Sequence, residues 1–128
     1  MKGKEAILQA NCVVWFSLQH PHLAPLLFHI PNGGSRNPIE AKNLKSQGVK
    51  AGVPDLFLAK PSNGYCGLFI EMKYGKNKLT LLQDAYFRLL NENGFKCAVC
   101  YDFDSFRIII NQYLMKDYEK INCSSVIA

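Results

Sequence analysis

Apolar residues recur at helical spacing from about Lys4 to Gln19, where Ile7, Leu8, Val14, Trp15 and Leu18 predict an amphipathic helix that stops at His20-Pro21. Leu26 to Ile30 is a short apolar strand closed by Pro31, and the glycines of the following Asn32-Gly33-Gly34-Ser35-Arg36 permit positive φ and a close backbone approach. Asn37 as cap and Pro38 in the first turn open a second helix that ends near Gly48. Two strands follow, Asp55 to Ala59 and Tyr65 to Lys73, joined by the strong turn signal Lys60-Pro61-Ser62-Asn63-Gly64. A third helix, Leu81 to Glu92, is capped by Thr80 and closed by Gly94. The pattern ends with a strand from Phe95 to Tyr101 and a helix from about Ser105 to Lys116, with acidic Asp102 and Asp104 at its start.

The order α-β-α-β-β-α-β-α predicts an α/β fold with a mixed central sheet and helices on both faces. The Asp55 to Lys73 hairpin is expected to be antiparallel, and the strands around the Leu81 helix a right-handed parallel unit. The 128 residues read as a single domain with a core of about 5–114 and a tail, about 118–128, of little pattern. No apolar run approaches the ~20 residues that span a bilayer. The amphipathic start argues against a signal peptide, and five cysteines without framework spacing fit a reducing compartment, so a cytoplasmic location is expected. Cys97-x-x-Cys100 lies within a predicted strand, where i and i+3 point to opposite faces, so both read as structural cysteines.

Charge placement narrows the function. Net charge is +5, which favours a polyanionic partner. Arg36, Lys42, Lys45 and Lys50 face one acid, Glu40, in their segment, and Lys76 and Lys78 form a second basic cluster. Between the clusters lies the most informative stretch: Gly52-Val53-Pro54-Asp55 before one apolar run, and Glu71-Met72-Lys73 at the end of the next. Side chains two apart on a strand leave the same face about 7 Å apart, so Glu71 and Lys73 pair while Met72 turns away. Asp55 and Glu71 are hard oxygen donors suited to Mg²⁺ or Mn²⁺, with Lys73 beside them to meet a water or a phosphate. A solvated sheet edge would also carry Glu and Lys, but these residues adjoin segments that read as buried. His29, in an apolar strand, reads as a packed histidine and stays outside the catalytic set.

These residues resemble the PD-(D/E)xK nuclease signature, and their surroundings resemble its VRR-NUC branch. The matching segments are His29-Ile30-Pro31-Asn32-Gly33-Gly34-x-Arg36, then Leu44-Lys45-x-x-Gly48-Val49-Lys50-x-Gly52-Val53-Pro54-Asp55, and Leu79-Thr80-x-x-Gln83 after Lys73. The resemblance covers roughly Glu5 to Leu114 and implies a restriction-endonuclease-like fold and a metal-dependent, structure-selective DNA endonuclease. It makes Asp55, Glu71, Lys73 and Gln83 catalytic candidates, with Asp55, Glu71 and the Met72 carbonyl as metal ligands. Glu5 is a further ligand candidate, with ordinary helix-dipole chemistry as its other reading. Gln83 carries two readings, a capping box with Thr80 and a place beside the metal site, and the resemblance favours the second.

Asn32, Gly33, Gly34 and Arg36 read as a substrate-side loop, with Arg36 able to grip a phosphate. Lys42, Lys45, Lys50, Lys76, Lys78 and Tyr86 complete the nucleic-acid-binding candidates; Tyr86 could instead simply pack. No appended recognition motif is present, so branched or Holliday-junction-like DNA would be read by phosphate contacts and shape. Symmetric cutting of two strands needs two sites, so a homodimer is expected. The rival reading is a non-catalytic DNA-binding subunit that keeps the nuclease fold.

Overall fold

The computed structural model describes residues 3–31 and 37–115. Helix α1 is Gly3–Gln19, followed by a 3₁₀ turn at Ala24–Leu26 and strand β1, Leu27–His29. Helix α2, Pro38–Ser46, leads to β2, Leu56–Leu58, and β3, Leu68–Met72. Helix α3, Leu81–Glu92, β4, Lys96–Cys100, and α4, Phe103–Leu114, complete the described elements. The sheet order is β1-β2-β3-β4, with antiparallel pairing except for the parallel β3 and β4. The α/β fold with a mixed sheet is therefore as expected.

Alternation divides the two faces. Leu56, Leu58, Leu68, Ile70 and Met72 point into a core closed by Cys12 and Phe16 of α1 and by Phe106, Ile110 and Tyr113 of α4. The odd-numbered side chains of β2, β3 and β4 build the other face, where Phe57 stacks on Phe69 at 4.3 Å between ring centroids and both meet Phe95 edge-on. Helix α3 lies on this second face, with Cys97 Sγ on β4 meeting the Phe87 carbonyl at 3.9 Å. Cys97 and Cys100 thus serve opposite faces, as their spacing requires, and burial pushes the Cys97 thiol up to about 11.

Local chemistry sets the ends of the elements. Asn37 Oδ1 accepts from the N–H groups of Ile39 and Glu40 to start α2. Thr80 Oγ1 accepts from Gln83 N, and Asp102 Oδ1 from Ser105 N at 2.7 Å, which starts α4 at Phe103 rather than near Ser105. The strand expected from Tyr65 begins only at Leu68. Asn63 and Gly64 both take positive φ, 54° and 83°, so Ser62 and Tyr65 exchange backbone hydrogen bonds and close a tight turn of their own. Tyr65 belongs to that turn, and β2 pairs with β3 only from Leu58 and Leu68 onward.

Candidate active site

Asp55 stands at the mouth of β2 and Glu71, Met72 and Lys73 at the far end of β3, so the hairpin brings all four to one end of the sheet. The approach to Asp55 runs under α3: Gly52 has φ +89°, and a Cβ there would lie 2.7 Å from Leu82 Cγ and 3.2 Å from Tyr86 Cδ2. Only glycine fits that crossing. Tyr86, half-buried, is thereby placed against the strand entry rather than out in solvent.

Register explains the next step. Leu56 pairs with Ile70, so one rung further along Pro54 stands opposite Met72. Lys73 N donates to the Cys100 carbonyl on the β4 side, which turns the N–H and C=O of Met72 toward β2. The Met72 N–H is taken by Asp55 Oδ2 at 2.8 Å, and Pro54 has no N–H to offer the Met72 carbonyl. The ladder ends here, with a carboxylate and a backbone carbonyl side by side.

Three charged side chains are buried at this end: Asp55 at 6% exposure, Glu71 at 3% and Lys73 at 8%. Lys73 Nζ lies 3.9 Å from Glu71 Oε2, a long contact for an ion pair. Glu71 Oε1 is buried with no hydrogen-bond partner. Burial pushes the Glu71 carboxyl up to about 8; the charge of Asp55 pushes the same way, Lys73 opposes it, and Glu5 adds a smaller upward push. Without a cation, therefore, Glu71 holds its proton across neutral pH. Two carboxylates crowded together, one with an orphaned oxygen, form a donor set that fits a divalent cation.

Gln83 does both things the sequence allowed. Its Oε1 accepts from Thr80 N at 2.9 Å, closing the capping box, while its Nε2 donates to Glu71 Oε2 at 3.3 Å. One amide thus fixes the start of α3 and one oxygen of the buried carboxylate. Glu5 lies on α1, close enough for its charge to act on Glu71, yet among the described residues no three His, Cys, Asp or Glu side chains form a ready-made metal cluster.

The model of the VRR-NUC domain matches residues 3–103 of the chain. The chain belongs to the VRR-NUC family. A solved structure described as a VRR_NUC domain protein is 30% identical, with 88% of this chain and 90% of that chain covered and a TM-score of 0.75. No curated protein matches the chain. Membership makes this a nuclease-type, DNA-processing fold from a family that is generally divalent-metal dependent.

Within this VRR-NUC domain the other candidates fall into distinct places. Lys42, Lys45, Lys50, Lys76 and Lys78 are exposed, on or just after α2 and in the loop after β3. Asn32, Gly33, Gly34 and Arg36 lie outside the described residues. No helix among the described residues is long and apolar enough to cross a membrane.

Two features escaped the sequence reading. Tyr74, next to Lys73, is 46% exposed with Lys4 Nζ of α1 5.0 Å from its ring centroid, so α1 and the β3 exit are tied beside the site. His29 is not packed in the core: its side chain is exposed, and its Nδ1 lies 2.8 Å from the Asp55 carbonyl. Neither contact has a local signal, because each joins residues far apart in the chain.

Proposed function

We propose that this VRR-NUC chain is a single-domain, Mg²⁺- or Mn²⁺-dependent endonuclease that hydrolyses DNA phosphodiesters at branched or junction-like sites. The observation that carries the reading is the buried Glu71 carboxyl, with one oxygen unpartnered beside the equally buried Asp55; burial first, and then the charge of Asp55, push its pKa up. Such a pair is unfavourable alone and becomes favourable around a cation. Asp55, Glu71 and the Met72 carbonyl would hold the ion, with Glu5 the further candidate.

A divalent ion supplies Lewis acidity, neutralising phosphate charge and lowering the pKa of a water toward neutrality. The chain's own groups do the rest. Lys73, fixed at the strand end by its backbone bond to Cys100, aims an ammonium at the reacting phosphate, where it orients the attacking water and stabilises the charge that develops. Gln83 keeps Glu71 Oε2 from rotating away. The exposed lysines on and after α2 and after β3, together with Arg36 and the Asn32-Gly33-Gly34 sequence, bind the phosphate backbone, and recognition rests on shape rather than base sequence. Two copies joined as a homodimer would place two such sites on opposite strands.

The test is cleavage of labelled linear duplex, single strand, flap and four-way junction, with Mg²⁺, Mn²⁺ or chelator. The expected result is metal-dependent cutting with junction or flap preferred, and a loss of at least about 10²-fold in Asp55→Asn. Affinity should fall steeply with salt. The particle mass in solution should be about twice 14.4 kDa. Cutting that survives chelation, or that is unchanged in Asp55→Asn, overturns the catalytic reading; salt-sensitive binding with no cutting by the wild type favours a DNA-binding subunit that kept the fold.

A further inference from the structure

We infer that His29 is a positioning residue for Asp55, a role that rests on the metal-site reading above. The Asp55 carbonyl already accepts from Ile30 N at 2.8 Å, which is all the β1–β2 ladder requires of it. His29 Nδ1 reaches the same oxygen at 2.8 Å, filling its second lone pair. A carbonyl only accepts, so the ring proton sits on Nδ1 and the tautomer is fixed.

Gln9 of α1 meets the ring at the same edge. Its side-chain amide approaches the same Nδ1 at 3.1 Å. With the proton in place this nitrogen has no lone pair for a donor, so the amide is turned by the half-turn that interchanges its two ends and presents its oxygen, and the one Nδ1 proton is shared unequally, with the Asp55 carbonyl the nearer acceptor. The chain Gln9, His29, Asp55 therefore runs from α1 through the edge strand to the site.

Asp55 is consequently held at both ends. Its carboxylate is fixed from β3 by Met72 N and its carbonyl from β1 by two donors, so the peptide that aims the carboxylate cannot turn without breaking one of them. Outer partners of this kind typically affect metal affinity by about 10–100-fold. The exposure of His29 speaks against a packing role, since little apolar surface would be lost with it.

The experiment measures Mn²⁺ affinity of the protein alone, by calorimetry and by the electron paramagnetic resonance signal of free Mn²⁺, at one pH and without DNA. Thermal unfolding of each variant is followed in parallel. His29→Ala is expected to weaken binding about 10-fold or more. His29→Asn, whose amide N–H can reach the same carbonyl, is expected to stay within about threefold of the wild type, the rescue a volume-filling role would not give. Unchanged affinity in His29→Ala, or equal losses in both variants, overturns the positioning role and leaves the metal site standing. Absence of Mn²⁺ binding in the wild type overturns the metal reading, and this inference with it.

Discussion

Replacing Lys73 with Ala is expected to slow single-turnover cleavage of a labelled junction by about 10²–10³-fold at saturating metal, the range seen when one group aimed at developing charge is removed. Lys73 is suited to that effect because it is not a surface lysine. Only 8% exposed, it sits in a place of reduced dielectric where its charge acts more strongly than in water, and its backbone is fixed by the Cys100 carbonyl. Binding should respond far less. One phosphate contact among several is worth roughly 1 kcal/mol, so affinity should drop by no more than about tenfold. Lys73→Arg should not restore the rate, since a planar fork replaces a compact point charge in a buried slot. A Lys73→Ala rate within threefold of the wild type would remove Lys73 from the chemistry.

The second large effect concerns stability. In the metal-free protein Glu71 is pushed from its ordinary 4.5 up to about 8, chiefly by burial and by Asp55. Between those values the folded chain holds a proton that the unfolded chain has released. Stability is therefore highest at the acidic end and falls as pH rises toward 8, by an amount on the order of a few kcal/mol. The unfolding midpoint of the metal-free wild type should drop by about 10 °C across that window. Glu71→Gln keeps the shape of the protonated carboxyl and should flatten the decline. Saturating Mn²⁺ at pH 8 should raise the wild-type midpoint, because the ion takes the place of the proton, and should raise that of Glu71→Gln far less. Scanning calorimetry of both proteins across this pH range, with and without Mn²⁺, measures the difference. Parallel curves for wild type and variant would show that Glu71 is not the group that titrates.

Where the relevant physics was local, the sequence disclosed it. Helix α3 runs between the Thr80 cap and Gly94 as expected, because a cap and a left-handed stop act within a few residues. Glu71 and Lys73 were legible because strand alternation alone puts them on one face. Other features depend on distant neighbours. His29 looked like a core residue by its apolar context, and its partner is a carbonyl 26 positions away, a group every residue carries. Tyr65 looked like the start of a strand, but the positive φ of both Asn63 and Gly64 commits it to the turn. The two uses of Gln83 seemed to compete because each was assigned the whole side chain; the amide divides them between its oxygen and its nitrogen.

Pro54 gives the hairpin end an antagonism between cohesion and reactivity. Any other residue at that position would bring an N–H opposite the Met72 carbonyl and could lengthen the sheet by a rung. The strands would be knit more firmly, and an oxygen facing the site would be consumed in holding them together. Proline forbids that trade: by what it lacks, it keeps the sheet from closing over the place where the carboxylates meet.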